Sequence, residues 1–330
     1  MNITVVVPVH NNSSTLKRVI EPLKAELLPG DRLVGVDDNS ADDSCLVLQK
    51  MGVESVKSSG KPGAAGTRNT GAKLAETPWI LFVDADAVVP EGWREMLSRR
   101  MPDTQAVQAV YSRNAAGTAA ATFYKNYYYF HTFTRRIKGR YIKGCGTFFF
   151  AVQTDIFKQL EGFDENIAGA TIEDADFSER LWANGGKIAI APEIQIFHLR
   201  EYEACELFRY EWNMMRAKAQ YILRRGRSRG APSISVAGFS EMIPVISGAL
   251  FSLITIIGAI LAASGFKPGL LAAASGLLLT LAVQSSFIFH AVKDGGWRGF
   301  RACLFIFPDL LLICPAMAIA VISHIAGRRY

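Results

Sequence analysis

Beyond residue 236 the chain almost stops carrying charge. Three stretches there, MIPVISGALFSLITIIGAILAAS (242–264), PGLLAAASGLLLTLAVQSSFIFHA (268–291) and ACLFIFPDLLLICPAMAIAVISHIA (302–326), are each long enough to cross a bilayer. A span takes about 20 apolar residues as an α-helix. Buried helices of a large soluble core would match the length but not the loss of charge over three successive segments. The chain is therefore expected to divide into a water-soluble part, residues 1–230, and an all-α transmembrane part, residues 236–330. The third segment holds Pro308, Asp309 and Pro315, which leaves a straight span and a broken, re-entrant helix both open.

The net charge is +6, and its placement carries more information than its total. Arg224, Arg225, Arg227 and Arg229 precede the first apolar segment, and Lys293, Arg298 and Arg301 lie between the second and third. By the positive-inside rule both stretches are cytoplasmic, which predicts a multi-pass protein of the cell membrane with a cytoplasmic N-terminal domain. The loop near Lys267 is then external. Three spans would also leave Arg328 and Arg329 outside, against the rule. A polybasic run beside anionic lipid explains the basic balance without nucleic acid, so membrane lipids are the expected partner. The chain opens on NITVVVPV, without the regions of a signal peptide. Five cysteines with no C-x-x-C fit a reducing compartment, with neither a zinc site nor a disulfide framework. The N-x-S/T triplets at Asn2, Asn11 and Asn12 are accordingly not expected to be glycosylated.

Ahead of residue 230, apolar runs alternate with polar loops. ITVVVPV (3–9) is a β-branched run stopped by HNNSS and followed by the helical pattern TLKRVIEPLKAEL. DRLVGVDDNSADDS (31–44) repeats the plan, with a helix beginning near Ser44. VESVKS (53–58) is a third strand, after which the Gly-rich KPGAAGTRNTGAKLAE opens another helix, and WILFVDAD is a fourth. This alternation predicts a Rossmann-like α/β domain with a mostly parallel, twisted sheet. Ligands of such sheets bind beyond the carboxyl ends of the strands. Those ends read His10-Asn11-Asn12, Asp37-Asp38-Asn39 and Asp84-Ala85-Asp86, the layout of a nucleotide-sized site. GKPGAAGT (60–67) lacks the Walker spacing, and KGCGTFF (143–149) lacks the third glycine of a dinucleotide fingerprint.

Side chains at i and i+2 of an extended segment point the same way, so Asp84 and Asp86 can face one ligand. Two hard oxygen donors at a sheet edge suit Mg²⁺ or Mn²⁺ bridging a diphosphate, and the cation relieves their mutual repulsion. Taken alone, D-A-D also fits an ordinary strand-to-helix turn whose aspartates cap the helix at VPEGWREML. A second acidic cluster, TIEDADFSERLWANGGKIAIAPE (171–193), places Glu173, Asp174 and Asp176 at a helix start. There they either favour the helix dipole or supply a general base. The following strand, KIAIAPEIQIFH, delivers His198, a third metal ligand or a polar strand end.

Together VVVPVHNN, VDDNSADDS, KPGAAGTRNTGA, ILFVDADAVVP, LEGFDE and IEDADFSERLWANGGKI, in this order, resemble the GT-A fold glycosyltransferases of family 2, over roughly residues 3–200. The resemblance implies a nucleotide-activated sugar bound through a divalent metal and an inverting transfer. It likens Pro8 and Asn11 to the loop under the nucleobase, and Asp38, with Asp37 beside it, to the aspartate that bonds a uracil-type base. Gly66, Arg68 and Asn69 match the loop beside diphosphate and ribose. Asp84 is similar to the ribose-side aspartate, Asp86 to the metal ligand, and Asp174, with neighbouring Glu173, to the base that deprotonates the acceptor. Two departures qualify it. No Q-x-x-R-W is present, which favours single additions over processive polymer synthesis. Ala87-Val88-Val89-Pro90 follows D-A-D where polyprenyl-phosphate mannose synthases usually carry a glutamine.

TFYKNYYYFHTFTRRIKGRYIKG (122–144) mixes aromatic and basic residues, as a membrane-interface segment facing a lipid-phosphate acceptor would, or a solvated helix packed on the domain. The expected activity is transfer of a sugar from a nucleotide-diphosphate donor, UDP-linked if Asp38 is a guide, to a lipid-linked acceptor. A polyprenyl-phosphate glycosyl synthase is the narrower alternative. A transporter or scaffold with a retired catalytic domain is the alternative of another class, and Asp309 its best argument.

Overall fold

The structure is a computed structural model and describes residues 1–167, 172–225 and 239–326. Arg227, Arg229, Arg328 and Arg329 of the topology argument lie outside the described residues, as do the side chains of Arg224 and Arg225. The described residues form two compact units. The first contains Met1–Ala115 and Thr132–Arg200; the second contains Ala116–His131 and the described residues from Glu201 onward.

The first unit begins with β1 (Ile3–Val9), α1 (Ser13–Ala25), β2 (Arg32–Asp37), α2 (Ser44–Lys50), β3 (Glu54–Lys57), α3 (Ala64–Lys73) and β4 (Trp79–Val83). After the D-A-D turn come β5 (Ala87–Val88), α4 (Trp93–Arg100) and β6 (Ala106–Tyr111). The chain then passes through α5 (Ala120–His131), which belongs to the second unit, and returns at a π-helical turn, Thr132–Arg136. β7 (Tyr141–Ile142), β8 (Phe149–Gln153), α6 (Thr154–Gln159), α7 (Glu173–Ala183) and β9 (Ile188–His198) complete this unit.

Nine strands make one sheet in the order β3-β2-β1-β4-β8-β6-β9-β5, with β7 also on β9. The β3-β2-β1-β4 half is parallel, as the β–α alternation predicts, and β6 is parallel to β9. The rest departs from a mostly parallel sheet, because β8 runs antiparallel to both β4 and β6. Phe149 opens β8 opposite Val83, the last residue of β4. The loop before β8 is therefore delivered to the sheet edge where β4 ends. The strands β1 and β4 are buried throughout apart from Pro8, so they read as continuous apolar runs rather than alternating ones. Val5, Val7, Leu81 and Phe149 pack in one core with Leu16, Ile20, Trp93 and Leu97 of the covering helices.

The second unit consists of α5 with α8 (Ala204–Arg225), α9 (Phe239–Ala263), α10 (Pro268–Val283), α11 (Ser285–Cys303) and α12 (Ile306–Ile325). Ile243–Ala263 and Ile306–Ser323 are each long and apolar enough to cross a membrane. The span expected at 268–291 is not one straight helix: α10 and α11 meet at a 61° bend. At the junction the Gln284 amide donates to the Pro244 carbonyl at 2.8 Å. The helix α12 continues through Pro315, and Pro308 sits in its first turn, where a missing N–H breaks no helical bond.

Segments 116–131 and 201–225 group with the C-terminal helices, because α5 is bonded to them through polar side chains. The Tyr124 hydroxyl donates to Asp309 of α12 at 2.6 Å, and the Tyr127 hydroxyl donates to Asp294 of α11 at 2.6 Å. Lys125 forms a buried ion pair with Glu211 of α8.

Candidate active site

The site is built at the carboxyl ends of β1, β2 and β4. Parallel pairing sets Val9 beside Asp37, and the Asp38 amide closes the edge by donating to the Val9 carbonyl at 2.8 Å. Asp37 is buried and accepts from the Ser40 amide, as a turn-forming aspartate does. The Asp38 carboxylate is half-buried and accepts from the Gly63 amide at 2.9 Å, joining the β2 end to the glycine-rich loop. Pro8 lies within β1, and Asn11 adopts a positive φ of 55° while its side chain accepts from the Ala41 amide.

The loop ahead of α3 is closely packed. A Cβ on Gly66 would stand 2.1 Å from the Lys61 carbonyl oxygen. Gly66→Ala is expected to destabilise the domain by about 1–3 kcal/mol, measured by chemical denaturation, since backbone rather than a flexible side chain must shift. Asn69, which the resemblance groups with the diphosphate loop, bonds the LEGFDE segment. Its amide donates to the Phe163 carbonyl and to Glu165, and its oxygen accepts from the Phe163 amide. Glu165 also accepts from the Lys61 amide at 2.8 Å, so LEGFDE clamps the glycine loop from outside. That role for Glu165 escaped the sequence reading, although the motif itself stood out.

Arg68 is the centre of the arrangement. It is buried on α3, and it donates to Asp84 at 2.7 Å and to Glu173 at 3.0 Å. One guanidinium thus joins the D-A-D turn to the start of α7, bringing together two acidic motifs about 90 residues apart in sequence. Burial works against the Arg68 charge, but Asp84 and Glu173, with a contribution from Asp174, hold it more firmly protonated than in water. Arg68→Ala would leave Glu173 buried without its counter-ion; a loss of about 3–5 kcal/mol in unfolding free energy is expected. Glu173 is therefore placed as the partner of Arg68, while Asp174, the next residue, is only half-buried. The Asp174 backbone carbonyl accepts from Ser178 at 2.7 Å, and Ser178 in turn accepts from the Cys145 amide, so the loop before β8 abuts this helix start.

Asp86 and His198 meet through strand pairing. Ala87 of β5 stands opposite His198 of β9, and the Leu199 amide donates to the Asp86 carbonyl at 2.8 Å. His198 Nε2 lies 3.3 Å from an Asp86 carboxylate oxygen. Burial alone would raise the Asp86 carboxyl, but the hydrogen bond and charge of His198, and the charge of Arg200, hold it below its ordinary value. The ring of Tyr111, itself stacked on Phe148 at 4.0 Å, lies 5.1 Å from the imidazole. This aromatic support carried no sequence signal, because it depends on β8 entering between β4 and β6.

Among the described residues no three His, Cys, Asp or Glu side chains are grouped as a ready metal cage. Asp84, expected with Asp86 and His198 as a metal ligand, accepts from Arg68 through one carboxylate oxygen. The pair of Asp86 and His198 nevertheless fits a divalent cation. It offers one hard oxygen and one imidazole nitrogen, an incomplete set that leaves positions for phosphate oxygens.

Residues 4–161 match the profile of Glycosyl transferase family 2. The chain is 34% identical over 99 residues to the pre-mycofactocin glycosyltransferase of Mycobacterium tuberculosis, covering 29% of this chain and only 20% of that protein. In three dimensions it resembles a mannosyltransferase of Pyrobaculum calidifontis solved with GDP-Man and Mn²⁺. The TM-score is 0.59 at 15% identity, covering 99% of this chain and 88% of that one. It also resembles residues 1–349 of S. aureus TarS solved with UDP-GlcNAc, at a TM-score of 0.52 and 14% identity, covering 100% and 93%. Sequence and architecture agree: residues 4–161 carry the profile of Glycosyl transferase family 2, on an N-terminal domain with a GT-A-like fold.

Proposed function

We propose that this chain is a membrane-bound, metal-dependent, inverting glycosyltransferase that moves a sugar from a nucleotide-diphosphate donor to a lipid-linked acceptor. The observation that carries the reading is the buried Arg68 bridge, which sets the strand-end aspartates and the Glu173-Asp174 helix start around one position. Pro8, Asn11, Asp37 and Asp38 would surround the base, Gly66 and Arg68 the diphosphate side, and Asp84 the ribose. A bound Mg²⁺ or Mn²⁺, held by Asp86 and His198, would supply charge stabilisation on the departing diphosphate. Asp174 would take the acceptor hydroxyl proton, with Glu173 fixing the start of its helix through Arg68. One base facing a leaving group needs no second carboxylate as nucleophile, which fits inversion.

The neighbours solved with GDP-Man and with UDP-GlcNAc support a nucleotide sugar and leave the base open. Two helices apolar enough to cross a bilayer support a membrane-resident acceptor, polyprenyl phosphate being the narrower form of it. The basic residues before the first and between the later apolar segments support a cytoplasmic side for the domain. The test incubates full-length protein in nanodiscs with radiolabelled UDP-, GDP- and CDP-sugars and a bacterial lipid extract. Label in the organic phase, formed with one donor and lost with chelator, is the expected result. Label in none, with folded protein, would overturn the proposal in favour of a scaffold.

A further inference from the structure

We infer that the turn of α11 around Trp297 is a wedge that seats in the headgroup layer of a bilayer containing anionic lipid. The observations come from the second unit alone and hold whatever reaction the first unit performs. Trp297 is 71% exposed, Phe300 49% and Leu304 68%, and the rings of Trp297 and Phe300 stack at 5.2 Å. So large an indole left in water is unfavourable, whereas an indole at a membrane–water boundary is a recurrent anchor.

The wedge is firmly mounted. Gly296 takes a φ of 54°, a conformation that breaks α11 and turns Trp297 outward. On one side of Trp297 the Asp294 carboxylate is held by Tyr127, and on the other the Arg298 guanidinium donates to the carbonyls of Ala116 and Ala119 at 3.0–3.3 Å. The carboxylate of this turn is thereby engaged inward, while Lys293 and Arg301 remain exposed. The outward charge is cationic, which complements lipid phosphate.

Its position fits the same partner. The segment joins the end of α10 at Val283 to the start of α12 at Ile306, so it lies at one edge of the apolar layer. With 16 residues, α10 reaches about 24 Å, short of a hydrocarbon core of about 30 Å. The 61° bend turns α11 away from the line of α10, and Lys293, Asp294, Arg298 and Arg301 all fall from its middle onward, around Trp297. An interfacial position suits that part.

The test uses full-length protein in nanodiscs whose lipids carry bromine either near the headgroup or near the chain end. The tryptophan emission of the wild type is compared with that of Trp297→Phe, so that the difference reports Trp297 among the five tryptophans. The expected result is strong quenching of that difference by shallow bromine and weak quenching by deep bromine. Adding phosphatidylglycerol should shift the Trp297 emission to the blue, and Arg301→Gln should lose most of that shift. Emission from Trp297 unaffected by either bromine would overturn the inference. So would a blue shift that follows protein concentration in detergent, since it would assign the surface to a second copy of the chain.

Discussion

Asp86→Ala is expected to abolish sugar transfer and to remove the metal-dependent part of nucleotide binding with it. Asp86 and His198 are the one oxygen–nitrogen donor pair that the D-A-D turn and β9 create together, 3.3 Å apart. Removing the carboxylate leaves a single imidazole, too little to hold Mg²⁺ or Mn²⁺ against water. Charge stabilisation by a metal contributes several kcal/mol to such a transition state, and each 1.36 kcal/mol is a factor of ten. A loss of at least about a thousandfold in turnover follows. The fold should survive, because the bond that ties this turn to β9 runs from the Leu199 amide to the Asp86 main-chain carbonyl. Circular dichroism and the thermal midpoint serve as controls. Normal turnover in the variant would remove Asp86 from the mechanism.

Asp174→Asn should separate chemistry from binding. Asparagine keeps the size of the side chain and an oxygen able to accept from the Ala175 amide, which bonds Asp174 at 2.7 Å. The Arg68 bridge to Asp84 and Glu173 is untouched. Donor binding is therefore expected to persist, while transfer falls by about 10²–10⁴, the range a positioned general base contributes. Nucleotide titration and initial rates on the same preparation check both halves. Weakened nucleotide binding with proportionate loss of rate would make Asp174 a donor-binding residue instead of a base.

The first half of the sheet was legible because β1 and β4 are buried almost throughout, β2 is buried from Val34 on, and all three end abruptly in polar residues. The antiparallel insertion of β8 was not, because a buried strand such as FFAVQ looks the same in either direction. That insertion decides where Phe148 and Tyr111 stand relative to His198, so this side of the site was hidden too. The candidate carboxylates were visible as motifs, but their convergence was not. It rests on Arg68, whose single side chain reaches residues 16 and 105 positions away. The helical unit shows a related contrast. Apolar length marked the helices long enough to cross a membrane, whereas the grouping of α5 with them depends on Tyr124, Lys125 and Tyr127 finding partners far along the chain.

The central claim is that the D-A-D turn holds a nucleotide through a divalent cation, and calorimetric titration tests it most directly. Full-length protein in detergent would be titrated with UDP, GDP and CDP, each with and without Mn²⁺, alongside Asp86→Ala. Binding of one nucleotide that requires Mn²⁺ and vanishes in the variant is the predicted result. Nucleotide binding of equal strength with and without Mn²⁺, or binding retained in Asp86→Ala, would contradict the assignment of Asp86 and His198.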